Sequence, residues 1–247
     1  MGVIGMDEKK TKTDLKERRR GIAFNQGNCT CCDDEKMNYT SLELKKLPEE
    51  AVLELGCVDS TVLAELREGE VVLAIGAGLD VFLASHLVGG TGRVISLDSD
   101  QQLVKMAQEG GYHNLEFIRG AVENIPLDDD GVDVVISNCA INQATQKQKA
   151  LEEISRILKP RGRLMALDLV TEGELDITAG LECLDGALQE QEYLNTIFLA
   201  GFEMVEILTE ADYQEPHLDP RWTAKIKCVG VKALKGCGAC PGTTCSL

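Results

Sequence analysis

Apolar residues occur along this chain in short bursts separated by glycine, acidic and amide residues, and the spacing within each burst predicts its element. Val71 to Ile75 is an uninterrupted apolar run, too short for a helix and closed by glycine, which predicts a buried strand. Gly76-Ala77-Gly78 reads as a turn, and Asp80 to Val88 has helical spacing, with Val81, Leu83, Ala84 and Leu87 on one side. A second strand is expected over Arg93 to Leu97, ending on Asp98. A helix over Asp100 to Glu109 follows, capped by Ser99 or Asp100, and then strands over Leu115 to Ile118 and Val132 to Ser137. Gln146 to Leu158 is amphipathic through Leu151, Ile154, Ile157 and Leu158 and is stopped by Pro160, ahead of a strand over Arg163 to Val170. Helices over Ile177 to Leu188 and Glu190 to Ala200, then strands over Phe202 to Leu208 and Ala224 to Ala233, complete the series.

Repeated alternation of strand and helix predicts an α/β domain: a mostly parallel sheet of seven strands with helices on both faces. No helix-length segment separates the last two strands, so they are expected to pair antiparallel at one edge. Before the first strand the pattern weakens. Residues 1–20 are dominated by charge, as an exposed helix near Leu15 to Arg20 or as disorder, and GIAFNQGNCTCCDDE reads as a loop. A short helix after Pro48 leads to a turn holding Cys57. The expected organisation is a charged, cysteine-bearing segment 1–65, a domain 66–235 and a cysteine-rich tail 236–247, with no internal repeat.

The 247 residues are enough for one large domain with a substantial core. A formal charge of −16 argues against nucleic acid, whose phosphates need Lys and Arg to displace counterions, and against an anionic membrane surface. No apolar run approaches the roughly 20 residues of a membrane span, and the amino terminus lacks the apolar core of a signal peptide. A soluble cytoplasmic protein is expected.

Two sets of residues bear on chemistry. The first is the strand, glycine turn, helix and second strand followed by Asp98, a carboxylate some twenty residues past the turn. Glycines let the backbone approach a ligand, and a carboxylate there can accept from ribose hydroxyls, so a nucleoside ligand is favoured over a purely structural turn. The turn lacks a third glycine, and Ala74 stands where nucleoside-binding folds often carry an acid. The second set is the ten cysteines, which in a reducing compartment point to metal, metalloid or redox chemistry before disulfides. Cys228 fits a buried apolar role inside KIKCVGV. Cys29, Cys31, Cys32, Cys237, Cys240 and Cys245 sit among polar and glycine residues and do not. Cys237-x-x-Cys240 with Cys245 offers three ligands, and Cys29, Cys31 or Cys32 of the same or a neighbouring subunit adds a fourth in a zinc or iron–sulfur site, which wants four. A redox dithiol and an inert tail remain open beside that reading.

IPLDDDGVDVVISNCAIN and LEEISRILKPRGRLMALDL resemble the fourth- and fifth-strand signatures of the class I S-adenosylmethionine-dependent methyltransferases, a Rossmann-like fold. More narrowly, GIAFNQGNCTCC, DVFLASHLVGGTGRVISLD, SNCAIN and LECLDGAL are similar to segments of the arsenite methyltransferases. The resemblance covers roughly residues 20–232. It implies a cofactor pocket lined by Gly76, Ala77, Gly78, Asp98, Ser99, Val122 and Asn138, with Asp98 holding the ribose. It also implies that Cys139 and Cys183 bind trivalent arsenic, joined by Cys57 and one of Cys31 or Cys32. Soft thiolates suit a soft metalloid centre, and the arsenic lone pair can attack a sulfonium methyl without a strong base. A thiol reductant is expected as a partner and a homodimer is left open. The chain departs from the family in LAIGAGLDVFL, about two residues shorter and without the acid, and in Arg161 in place of a glycine. A second class stays beside the transferase: a thiol-disulfide oxidoreductase, or a zinc or iron–sulfur protein, on the same fold.

Overall fold

The computed structural model describes residues 64–76, 80–97, 101–173, 184, 186–213 and 225–237. Strand β1 (Val71–Ile75), helix α1 (Asp80–Val88), β2 (Arg93–Leu97) and β3 (Leu115–Ile118) occupy the spans that the apolar pattern predicts. Helix α2 (Gln101–Gly110) lies between β2 and β3, and β4 (Val132–Asn138) runs one residue past its expected end. Next come the short helix α3 (Ala140–Gln143), α4 (Lys147–Ile157) and β5 (Leu158–Thr171). The two-residue β6 (Leu188–Gln189), α5 (Glu190–Leu199), β7 (Phe202–Asp212) and β8 (Ile226–Lys235) complete the described elements.

The sheet has the order β3-β2-β1-β4-β5-β8-β7, with β6 added beside β5. β1 pairs in parallel with β2 and β4, so Val72 faces Val94 on one side and Val134 on the other. β8 runs antiparallel to both β5 and β7, and this reversed pair forms one end of the sheet as expected. β8 lies inside the pair and β7 takes the outer edge. Helices cover both faces, which is why β1 and β4 read as near-continuous apolar runs rather than alternating ones. Val81, Phe82 and Leu103 pack over one face, and Leu151, Ile154, Tyr193 and Ile197 over the other.

Three expected boundaries are corrected. β5 begins at Leu158 rather than Arg163, because a residue preceding proline is driven to extended backbone and a bulge between Val132 and Val134 absorbs the extra residues. The helix expected over Ile177 to Leu188 does not reach Leu188, which pairs with Val170 in β6; the rest of that span, apart from Leu184, Gly186 and Ala187, lies outside the described residues. β7 extends to Asp212 rather than Leu208, because β8 offers partners along its whole length.

Ala64, ahead of β1, is fully buried in the core. Arg163 reaches back to the chain there, donating to the Ala64 and Glu65 carbonyl oxygens at 2.6 and 2.8 Å and to Glu70 at 2.7 and 2.8 Å.

Candidate functional site

In an open parallel sheet, ligands bind at the carboxyl ends of the strands, and here β1, β4 and β5 end side by side. Gly76 follows β1 at φ +63°, and a Cβ there would lie 2.6 Å from the Asn138 carbonyl oxygen. The turn after β1 is therefore pressed against the end of β4 by a residue without a side chain. Asn138 donates through Nδ2 to the Asp80 carboxylate at 2.9 Å, and Asp80, at the first position of α1, is only 2% exposed. The other amide atom, Asn138 Oδ1, and the neighbouring Ser137 Oγ are buried and have no hydrogen-bond partner among the described residues. A buried acceptor without a donor is costly, so this corner is shaped for a polar ligand.

Cys139 comes next, half-buried, with left-handed backbone (φ 53°, ψ 6°). Such backbone is strained for a residue with a side chain and persists where its surroundings fix it. Its N–H donates to the Leu167 carbonyl at 2.8 Å, and its carbonyl accepts from Gln143. The turn it begins is gripped by β5. Asn142 exchanges two hydrogen bonds with Leu169, Oδ1 accepting at 2.7 Å and Nδ2 donating at 2.9 Å, so its amide imitates a strand partner just where β4 stops. The Asn142 N–H donates to Asp168 Oδ1 at 3.2 Å, and Tyr193 Oη donates to Asp168 Oδ2 at 2.7 Å. Asp168 is fully buried on β5, and burial with the adjacent Asp168 charge holds the Tyr193 hydroxyl well above its ordinary pKa. Lys147, half-buried at the start of α4, has its ammonium pKa lowered by burial, against the pull of Asp168 and Glu123.

Of the residues singled out in the sequence, Gly76, Asn138 and Cys139 meet at this end of the sheet. Val122 lies in the small turn closed by the Ala121–Asn124 bridge and packs on the core under α4. Cys237 follows β8, and Cys228 lies within it opposite Leu169. Ala77, Gly78, Asp98, Ser99, Cys29, Cys31, Cys32, Cys57, Cys183, Cys240 and Cys245 lie outside the described residues. Among the described residues, no group of His, Cys, Asp and Glu gathers as a metal site, and no helix is long and apolar enough to cross a membrane.

Sequence reasoning missed Asp80, Asn142, Asp168 and Tyr193. Asp168 did carry a signal, a lone carboxylate in the apolar run LMALDLV, and such a buried charge needs donors around it. A groove of about 670 Å³ opens elsewhere, lined by His86, Arg93, His113 and Glu116 among others. It lies at the amino ends of β2 and β3, away from the ends where such folds place ligands.

The fold is that of a class I methyltransferase, and residues 46–214 match the family described as a methyltransferase domain, to which the chain belongs. The arsenite methyltransferase of Halobacterium salinarum is 31% identical, with the match covering 86% of this chain and 62% of that protein. The arsenite methyltransferase of Aquipseudomonas alcaligenes is 30% identical over 70% of this chain and 55% of that protein. The chain thus spans less than two thirds of the length of these curated relatives. Among solved structures, the arsenic(III) S-adenosylmethionine methyltransferase of Chlamydomonas reinhardtii superposes with a TM-score of 0.60 at 27% identity, covering 72% of this chain and 66% of that one. The resemblance drawn from the cysteine motifs and the expected Rossmann-like fold are both borne out.

Proposed function

We propose that the protein transfers a methyl group from S-adenosylmethionine to trivalent arsenic held by its own thiolates. The observation that carries the reading is the adjacency of Asn138, with its buried unpaired acceptor, and Cys139, fixed in left-handed backbone at the same strand end. A cofactor corner and a soft thiol are thereby one residue apart. The names of the relatives point to the same substrate.

When bound, S-adenosylmethionine supplies an electrophilic methyl on a sulfonium. Asp98 would take the ribose hydroxyls, and Gly76, Ala77, Gly78, Ser99, Val122 and Asn138 would line the rest of its pocket. Three thiols of the set Cys139, Cys183, Cys57 and one of Cys31 or Cys32 would replace the three hydroxyls of arsenous acid by sulfur, each thiol proton leaving with a hydroxyl as water, and the fourth thiol would stand by for exchange. The lone pair kept by trivalent arsenic is the nucleophile, so the thiolates need only hold it in line with the methyl group. Methyl transfer leaves arsenic pentavalent. Two thiols then reduce it to the trivalent state, forming one disulfide and releasing two protons, and an external thiol restores the pair.

Titration of the purified protein with S-adenosylmethionine by calorimetry, followed by incubation with methyl-labelled cofactor, arsenite and dithiothreitol, tests the reading. Labelled methylarsenicals that disappear in Cys139→Ser are the expected result. No cofactor binding at millimolar ligand, or binding without labelled arsenicals, overturns it.

A further inference from the structure

Cys139 stands in left-handed backbone, φ 53° and ψ 6°, one residue past the last register pair of β4 and β5, Asn138 with Leu167. A side chain makes this conformation costly, so the residue keeps it only while its surroundings hold it there. The Cys139 N–H on the Leu167 carbonyl fixes one end of the turn. The other end is Asn142, whose amide bonds twice to Leu169 and whose N–H donates to Asp168 Oδ1 at 3.2 Å. Gly186 closes the far side. A Cβ there would lie 1.9 Å from the Asn142 carbonyl oxygen, so that carbonyl has no room to swing.

Asp168 is the charged member of this set and the one the fold finds hardest to carry. It is fully buried, and a carboxylate out of water is costly unless donors surround it. One of those donors is the Tyr193 hydroxyl, 2.7 Å from Oδ2, brought from α5 by a residue only 1% exposed. What the arrangement yields is a hydrogen bond to an ionised acceptor, about twice as strong as one to a neutral group. That bond falls on Asn142, in the turn that Cys139 begins. A neutral side chain at 168 gives Asn142 a weaker hold, and Cys139 then spends more of its time in ordinary backbone.

We propose that Asp168, steadied by Tyr193, is a positioning residue that keeps Cys139 in one backbone conformation before the substrate arrives. This rests on the reading of Cys139 as a thiol that holds arsenic. Apparent affinity falls with the fraction of molecules in the competent conformation, so a turn released for about nine tenths of the time binds about tenfold more weakly. Asp168→Asn is the sharp probe. The amide keeps an oxygen for the Asn142 N–H and offers an N–H to the Tyr193 hydroxyl, so shape is retained and charge is lost.

The test uses the full chain, reduced and then titrated with arsenite. Each As–S bond formed replaces an As–O bond, and the thiol proton leaves with the hydroxyl as water. Residual thiols are alkylated with iodoacetamide, and protection of Cys139 is read from its own peptide in a mass spectrometer. Cys228, half-buried on β8 opposite Leu169, is read without arsenite as the marker of general loosening. Asp168→Asn should raise the arsenite midpoint for Cys139 about tenfold and Tyr193→Phe about threefold. In both variants Cys228 should be alkylated at the wild-type rate. Because Tyr193 acts through Asp168, the double variant should bind no more weakly than Asp168→Asn alone. If Asp168→Asn does not fold, Tyr193→Phe decides. An unchanged midpoint in the deciding variant, or a rise matched by faster alkylation of Cys228, overturns the positioning role and leaves the arsenic reading standing. Additive effects in the double variant overturn the part given to Tyr193. Failure of arsenite to protect Cys139 in the wild type overturns both the positioning role and the arsenic reading.

Discussion

Gly76 carries the tightest backbone constraint at the cofactor end. Alanine there must adopt φ near +63° and bring its Cβ to 2.6 Å from the Asn138 carbonyl, a contact with backbone rather than with a yielding side chain. Gly76→Ala should therefore cost about 2 kcal/mol of stability, and it should weaken S-adenosylmethionine binding through the displaced end of β4. Urea unfolding and calorimetry check the two effects, and unchanged values in both would mean that the turn relaxes without disturbing Asn138. Cys228 gives a prediction in pH. Burial, and after it the Asp168 charge, push its thiol up to about 11. A raised pKa favours the neutral thiol in the folded state, so this contribution is whole below the unfolded value of about 8.5 and is lost as pH climbs towards 11. Cys228 is half-buried, so the decline should stay below the roughly 3 kcal/mol that a wholly sequestered thiol with this shift would give. Cys228→Ala should flatten the fall in stability across that window, measured by urea unfolding at stepped pH. Parallel curves for wild type and variant would assign the fall to another group.

Elements bounded by a glycine or an acidic cap were legible in the sequence, and those shaped by tertiary pairing were not. Val71 to Ile75 and Arg93 to Leu97 are apolar runs with glycine or a carboxylate at the end, and their spans emerge as read. Pro160 correctly marks the end of α4, but a proline that stops a helix is also compatible with a strand, and only the bulge opposite Val132 shows that β5 has already begun. β6 could not be read at all, since a two-residue strand has no period and exists only because β5 outlasts β4. The candidate site divides the same way. Asn138 and Cys139 were legible through motif resemblance, whereas Asn142, Tyr193 and Gly186 matter through contacts that only the folded chain makes. Arg163 is a further case, an arginine in a strand pattern that proves to fasten the chain entering β1. It is 13% exposed, and its guanidinium spans two carbonyls and the Glu70 carboxylate. Arg163→Met keeps much of the apolar stem but removes the donor to both carbonyls and the cation beside Glu70, whose carboxylate keeps only the Arg67 N–H of the donors described, so a loss of about 3 kcal/mol is expected. A fall in the thermal midpoint checks it, and a loss near zero would show the entry segment to be held by packing alone.

At the scale of the whole molecule, the question is how much of the chain the chemistry needs beyond the sheet. β8 ends at Lys235, whose ammonium is tied to Asp130 at 2.6 Å and to the Leu158 carbonyl at 2.6 Å, and the Gly236 N–H reaches the Gly201 carbonyl at 3.4 Å. These contacts belong to the domain, so a cut at residue 236 would disturb the end of β8, whereas a cut after Cys237 keeps every one of them. A chain ending at Cys237 should unfold within about 0.5 kcal/mol of the full chain, the range of changes that leave the packed contacts of a domain in place. It should also bind S-adenosylmethionine unchanged, because Gly76 and Asn138 lie at the opposite ends of their strands from the last residue of the antiparallel β8. Cys240 and Cys245 are lost in this variant. If they serve to deliver arsenic or return electrons after each transfer, dithiothreitol and excess arsenite replace them, and labelled methylarsenicals form at close to the full-length rate. Without dithiothreitol the shortened chain should stop after fewer turnovers than the full chain, since fewer thiols remain to reduce pentavalent arsenic. A rate that collapses even with dithiothreitol present would place a tail sulfur among the groups that hold the reacting arsenic, and the four-cysteine set would have to be redrawn to include it.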